Sequence, residues 1–329
     1  MSAETPQTKH FFREAIGRAL HEEMSRDDRL LLLGQDIGGF GGPYGEFAGL
    51  FDRFGASRVR DMPVAEAAMV GMAVGAAAAG VRTLVSITYM DFLMLGLDPL
   101  INYAAKLKYK TGGQLLAPVV VKTTAGAKGQ GVAHSQCLEA WLMGVPGLTV
   151  VAPSCAADAY GLLKTALRAE GPVVFVDHKR LFPIAGPLPD AETFIPLGLA
   201  KVAREGSDIT LASHSYMVGQ CLAAATVLEA EGLSCEVIDL RCLAPLDVAT
   251  LVASVRKTGA LLTVEEGQLV CGVGAEVAFR VRDQVAIDRV GRLGALPVPV
   301  SSSPLLEATV IPDRHRIAAA VVALLRPPR

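Results

Sequence analysis

The sequence predicts an α/β protein built from two mostly parallel sheets in succession. Three observations lead to this. Short continuous apolar runs alternate with helix-length periodic stretches along the chain, the pattern of strands covered on both faces by helices. The alternation breaks once, between Leu181 and Leu197, where Pro183, Pro187, Pro189 and Pro196 fall in a stretch without a clear period. And 329 residues, 51% hydrophobic and 19% charged, suffice for two full cores.

The elements follow in order. Phe11 to Met24 places Phe12, Ala15, Ile16, Ala19, Leu20 and Met24 on one face of a helix. Arg29–Gly34 reads as a buried strand, and a glycine-rich loop runs from Gly34 to Gly45. Helix Ala65–Gly80, strand Thr83–Thr88, helix Phe92–Lys110 and strand Pro118–Thr123 come next. After a second glycine-rich loop come helix Gln136–Met143, strand Leu148–Ala152, helix Ala156–Ala169 and strand Val173–Asp177. Beyond the proline-rich break, strands Ile209–Ala212, Glu236–Leu240 and Leu261–Val264 interleave with helices Met217–Glu231, Val248–Lys257 and Gly274–Asp288. A last helix spans Arg314–Leu325. The expected division is a first domain over 1–185, a linker over 186–204 and a second domain over 205–329.

Composition excludes several classes. A net charge of −2 with no block of like charge offers no field for nucleic acid. The longest apolar run, Ala67 to Val81, is too short and too rich in Gly and Ala to span a bilayer, and Met1 to Lys9 lacks the apolar centre of a secretory signal. Six cysteines without CxxC spacing argue against a disulfide framework or a zinc site and lead to the expectation of a reducing cytoplasm.

Neither glycine loop is a standard phosphate cradle: GxxxxGK[ST] is absent, and Gly34-Gln-Asp-Ile-Gly-Gly-Phe-Gly-Gly42 does not keep the dinucleotide spacing. It lies where open α/β sheets bind ligands, although an ordinary surface turn accounts for it equally well. Glu66 opens a helix that continues from Ala67 to Gly80 without a charge. The helix dipole favours its ionised form and burial opposes it, a balance suited to proton exchange with a basic ring nitrogen; the alternative is a solvated helix-end charge. Gly71, Gly75 and Ala79 recur every four residues, the spacing of a close helix–helix seam or of plain core packing. His134, in Gly126-Ala-Lys-Gly-Gln-Gly-Val-Ala-His-Ser135, is a neutral-pH acid/base candidate on a loop between strand and helix, against the commoner role of loop bracing. Ser135 beside it does not make a hydrolase, because no GxSxG elbow exists.

Taken together, Arg13-Glu-Ala-Ile16, Leu33-Gly-Gln-Asp-Ile37, Arg58-Val-Arg-Asp-Met-Pro63, Asn102-Tyr-Ala-Ala-Lys106, His134-Ser-Gln136, Pro146-Gly-Leu148 and Pro172-Val-Val-Phe175 stand in a specific order. So do Glu236-Val-Ile-Asp-Leu-Arg241, Ser254-Val-Arg-Lys-Thr-Gly259 and Gly272-Val-Gly-Ala-Glu276. In these segments the chain resembles the beta subunit of the thiamine diphosphate-dependent decarboxylating component of 2-oxo acid dehydrogenase complexes. The resemblance implies a transketolase-like pyrimidine-binding domain followed by a transketolase C-terminal domain. It implies that Glu66 bonds N1′ of the aminopyrimidine, Phe92 stacks on that ring, Gln35 and Ile37 line the cofactor, and His134 faces the reacting carbon. It further implies an alpha subunit in an alpha2-beta2 heterotetramer, holding the diphosphate and magnesium, so that no metal is expected on this chain beyond a possible monovalent cation. A small 2-oxo acid is then the substrate, with a lipoyl-bearing acyltransferase as acceptor; a carboligase without a lipoyl partner is the alternative, and a silent scaffold a further one.

The sequence departs from that family's pattern at Gln35 (usually Glu), at Lys122-Thr-Thr124 (usually Arg-Gly-Pro) and at Ala169, near the cation site of relatives. The matched segments of the second domain contain no nucleophile–base pair and are expected to serve assembly.

Overall fold

The computed structural model describes residues 9–189 and 192–326, so the expectations for Met1–Thr8, for Asp190 and Ala191 in the linker and for the last three residues lie outside it. The first half runs β1 (Lys9–Phe11), α1 (Phe12–Arg26), β2 (Leu31–Gly34), α2 (Leu50–Phe54), β3 (Val59–Asp61), α3 (Glu66–Ala78), β4 (Thr83–Ile87) and α4 (Met90–Leu93). It continues through α5 (Ala105–Lys110), β5 (Val119–Ala125), α6 (Glu139–Met143), β6 (Thr149–Val151), α7 (Ala156–Arg168), β7 (Val173–His178) and β8 (Ala185–Pro187). The second half adds β9 (Lys201–Arg204), β10 (Ile209–Ser213), α8 (Tyr216–Glu229), β11 (Cys235–Asp239), β12 (Cys242–Ala244) and α9 (Val248–Thr258). It closes with β13 (Ala260–Gln268), α10 (Val273–Arg282), β14 (Arg289–Ala295), α11 (Pro304–Val310) and α12 (Arg314–Leu325).

Two sheets carry the fold, in the orders β12-β6-β7-β5-β4-β2-β3 and β14-β13-β10-β11-β9. Every pairing in the first sheet is parallel except that of β12 with β6, and in the second only β9 runs antiparallel. Strands β4, β5 and β7 are buried at every position, which explains their uninterrupted apolar character. The apolar face of α1 packs against α7 on one side of the first sheet, and α3 covers the other.

Several local expectations change for identifiable reasons. The helix expected over Phe92–Lys110 is instead α4, a 3-10 turn over Met94–Gly96, a π-helical stretch over Asp98–Ala104 and α5. Pro99 has no amide hydrogen to continue an i→i−4 ladder. Gly96 lies so close to α3 that an added Cβ would come within 2.9 Å of Val70 Cγ2. The helix expected from Gln136 begins only at Glu139, because the amides of Gln136 and Leu138 are taken by Asp91 Oδ1 at 3.2 Å and Met90 Sδ at 3.4 Å. Strands β1, β3, β8, β9, β12 and β14 were not expected; all are short or at a sheet edge, where burial leaves little pattern.

β12 matters most, because it belongs by sequence to the second half and by pairing to the first sheet. One hydrophobic cluster runs accordingly through both halves, joining Val150, Ala152 and Leu142 to Ile238, Leu240, Leu243 and Val277. The small-residue row of α3 is not a seam within this chain: Gly71 and Gly75 are exposed, and a Cβ added at Gly75 would meet nothing within 4 Å. Among the described residues no helix is long and apolar enough to cross a membrane.

Truncation after Leu197 should therefore strip β12 from the first sheet and uncover Leu142 and Val150. We expect an aggregated or dye-binding product by sedimentation and ANS fluorescence. A monodisperse truncated chain with native near-ultraviolet circular dichroism would show that the shared core is dispensable.

Candidate active site

The order β7-β5-β4-β2 places four parallel strands side by side, so their C-terminal ends form one rim. Gln35 follows β2, Thr88 and Tyr89 follow β4, the loop bearing His134 follows β5, and Lys179 follows β7. Glu66 reaches the same rim from the first turn of α3. It is 4% exposed, and its Oε1 accepts from Gln35 Nε2 at 3.4 Å, while Gln35 Oε1 accepts from Thr88 Oγ1 at 3.5 Å. Among the described residues no donor reaches Glu66 Oε2. Gly96 again sets the geometry: its added Cβ would stand 3.4 Å from the Glu66 carbonyl oxygen, so the segment after Phe92 lies against this end of α3.

The rings of Phe92, Tyr89 and His134 form a T-shaped cluster. Phe92 and His134 are 5.3 Å apart at 81°, and Tyr89 and His134 are 4.7 Å apart at 83°. Lys179 lies over the Tyr89 ring at 4.8 Å and donates to the His134 carbonyl; burial lowers its proton affinity against the pull of Asp91, Cys137 and Glu266. Gln130 Nε2 donates to the Tyr89 hydroxyl at 3.2 Å. Of the residues expected at a cofactor site, Glu66 and Gln35 touch, and Phe92 and His134 touch. The side chain of Ile37 is fully buried beneath Gly34, whose added Cβ would stand 2.7 Å from Ile37 Cγ2, so it shapes the rim from within.

Tyr89, Asp91, Lys179, Glu266 and Glu307 were not singled out from the sequence. The signal available was position immediately after a strand for Tyr89 and Lys179; the two glutamates lie far along the chain and gave none. They also alter the role expected of the second half. Glu266 Oε1 accepts the Ala127 amide at 2.7 Å, and Glu307 Oε2 accepts the Gly129 amide at 2.6 Å, so the second half bonds directly to the His134 loop.

Cys137, His178 and Glu266 bring their ligand atoms within 4.8 Å of one another. His178 Nδ1 accepts the Arg180 amide at 3.1 Å, which leaves the proton of the neutral ring on Nε2, facing Glu266 Oε2 at 2.9 Å. That Nε2 is a donor, and the trio is a proton-bridged contact between halves, not a ligand set. The carbonyl oxygens of Leu167 and Ala169, in the segment where the resemblance implied a monovalent cation, accept from Arg82 Nη1 at 3.3 and 2.7 Å.

Behind the rim the interface between the halves holds charge out of water. Burial, reinforced by Glu266 and Glu265, pushes the Glu139 carboxyl up to about 8. Burial beside Asp158 pushes Asp239 up to about 7, and burial beside His178 pushes His214 down to about 4.

Residues 9–184 match the transketolase pyrimidine-binding domain and residues 198–317 the transketolase C-terminal domain. The chain is 43% identical over 316 residues to the mitochondrial pyruvate dehydrogenase E1 component subunit beta-2 of Oryza sativa subsp. japonica, covering 94% of this chain and 84% of that one. It is 42% identical to the Pisum sativum subunit beta (94% and 88% covered) and 39% identical to that of Bos taurus (94% and 89%). Among solved structures it is similar to a split-gene transketolase described as an inactive beta4 tetramer, with a TM-score of 0.80, 26% identity and coverage of 97% and 99%. The expected cytoplasmic location is corrected by these relatives, which are described as mitochondrial. Free cysteines indicate reduced thiols and do not distinguish one reducing compartment from another.

The raised carboxyls give a pH dependence of known sign. Glu139 and Asp239 keep protons in the native state that the unfolded chain releases above 4.5 and 3.8, so their contribution is complete below those values and lost as pH rises through about 8 and about 7. His214 acts oppositely, but only below 6.5. Urea midpoints should therefore fall from about pH 6.5 to about pH 9, and Glu139→Gln should flatten the decline. An identical slope in the variant would show that Glu139 is not the group responsible.

Proposed function

The chain belongs to the beta-subunit family of the thiamine diphosphate-dependent decarboxylating component of 2-oxo acid dehydrogenase complexes, and from that premise we propose that it completes such an active site with a separate alpha subunit. One observation carries the reading: the buried Glu66 carboxylate has one oxygen bonded to Gln35 and the other, among the described residues, without a donor, at the rim shared with Phe92 and His134. A carboxylate this shielded from water, with one oxygen accessible and free of protein donors, fits a protonated ring nitrogen as its partner.

Thiamine diphosphate, when bound, supplies the electron sink that permits loss of carbon dioxide from a 2-oxo acid. The residues of this chain bind, orient and move protons. Glu66 holds and returns the proton at N1′ of the aminopyrimidine. Gln35, fixed by Thr88, keeps the Glu66 carboxylate turned outward. Phe92 offers an apolar face to the same ring. His134, held edge-on between Phe92 and Tyr89, exchanges a proton with the substrate oxygen or pairs with its carboxylate. Diphosphate and magnesium fall to the alpha subunit, and the uncovered Gly71–Gly75 face of α3 is a surface on which an alpha subunit can pack in an alpha2-beta2 assembly. A lipoyl-bearing acyltransferase is the proposed acceptor.

Co-expression with an alpha-type subunit should yield a heterotetramer that turns over a small 2-oxo acid with an artificial electron acceptor. Glu66→Gln should retain assembly and lower turnover by about 10² to 10⁴, the range for a positioned acid/base. Near-normal turnover in that variant, or tight magnesium-dependent cofactor binding by the isolated chain, would remove the reading.

A further inference from the structure

The loop that carries His134 leaves β5 at Ala125 and is rich in glycine at 126, 129 and 131, all with positive φ. Such a segment has much conformational freedom to lose and needs tethers to hold one shape. Its first part is held from outside its own sheet. Ala127 donates its amide to Glu266 Oε1 on β13 at 2.7 Å, and Gly129 donates to Glu307 Oε2 on α11 at 2.6 Å. Glu266 and Glu307 are 8% and 4% exposed, and each is met by a side chain at the end of β7 or just beyond it. His178 faces Glu266 at 2.9 Å, and Arg180 pairs with Glu307 while its Nε donates to the Ala127 carbonyl at 2.8 Å. The loop has no freedom to slide at its start, because an added Cβ on Gly126 would stand 1.8 Å from His178 Nε2.

We propose that Glu307, with Glu266, is a positioning residue for His134: the C-terminal domain takes part in catalysis by holding the first half of the His134 loop on two buried carboxylates. This rests on the catalytic reading of His134 above. The carboxylates touch no reacting group. They act by fixing Ala127 and Gly129, from which the loop turns at Gly131, whose carbonyl accepts the His134 amide at 3.2 Å. Lys179 on the His134 carbonyl and Asp91 on Gln136 then hold the second half. Charged acceptors for backbone amides in buried positions rank among the stronger hydrogen bonds, so removing one should loosen the loop measurably.

The exposed Lys128, between the two tethered residues, provides a direct readout. Limited trypsin digestion of the full chain, followed by mass spectrometry, measures cleavage after Lys128. Glu307→Ala should speed that cleavage about ten-fold or more, as expected for loss of one charge-assisted bond. In the holo-heterotetramer the same variant should lower kcat about ten-fold with KM little changed. Glu307→Gln, which keeps an acceptor oxygen for Gly129, should recover most of kcat. In a His134→Ala background, Glu307→Ala should add little, because both changes remove the same placed imidazole. Unchanged cleavage after Lys128 in Glu307→Ala, or an equal loss of kcat in both backgrounds, would overturn the proposal. Normal turnover in His134→Ala alone would instead remove the catalytic reading of His134 and its dependent consequence for Glu307, leaving the cleavage result as evidence of the tether only.

Discussion

A backbone amide taken out of water must find an acceptor, and this constraint on the segment from 126 to 138 organises much of the molecule. No strand or long helix pairs its amides. Ala127 and Gly129 use Glu266 and Glu307, Gln136 uses Asp91, and Leu138 uses Met90 sulfur. Each acceptor needs a rigid element behind it: β13 and α11 in the second half, α4 in the first. Each buried carboxylate of the second half in turn needs a positive or proton-donating partner, supplied by His178 and Arg180. The loop, the interface and the strand end after β7 therefore form one connected arrangement.

The same logic of paired burial recurs beneath the rim. Lys122 Nζ lies 2.7 Å from Asp177 and 3.1 Å from Glu46, all fully or nearly fully buried. Although burial alone would favour the neutral amine, the two carboxylates hold Lys122 above its usual range. Phe47 and Phe182 face the ammonium at 5.5 and 5.6 Å, and Phe182 stacks on Tyr44 at 4.3 Å. Because Glu46 directly follows the glycine-rich loop after β2, this ion cluster fixes the end of that loop against β5 and β7. Losing one partner of such a buried pair costs about 3–5 kcal/mol, since the remaining charge is stranded. Position 122 thus tolerates a basic residue only with both acids in place.

The halves of the chain are joined by three kinds of contact at once. β12 completes a sheet made otherwise of first-half strands, a common apolar cluster spans the boundary, and charge-assisted bonds run from Glu266 and Glu307 to the loop that carries His134. An interface of this composition is closer to a divided core than to two domains on a tether. It ties the second half to the candidate site, although the rim side chains Gln35, Glu66, Thr88, Tyr89, Phe92, His134 and Lys179 all belong to the first half.

The sequence by itself determined the fold class, the order of the long elements and the candidates Glu66 and His134. Continuous apolar strands and an uncharged helix opened by one carboxylate are local patterns, and local patterns survive in a single sequence. Phe92 and Gln35 came only from resemblance, because an aromatic residue and an amide carry no spacing signal of their own. What the tertiary structure decided lies in contacts between residues far apart in the chain. Pro99 and Gly96 broke a helix whose period looked continuous, since Gly96 had to pack on Val70. The short β12 has no readable alternation, and only its pairing with β6 assigns it to the first sheet. Glu266 and Glu307 read as ordinary charges until the fold brings them to Ala127 and Gly129, 139 and 178 residues away in sequence. A side chain's own neighbours announce its helix or strand, but the acceptor of a buried amide is chosen by the sheets that close around it.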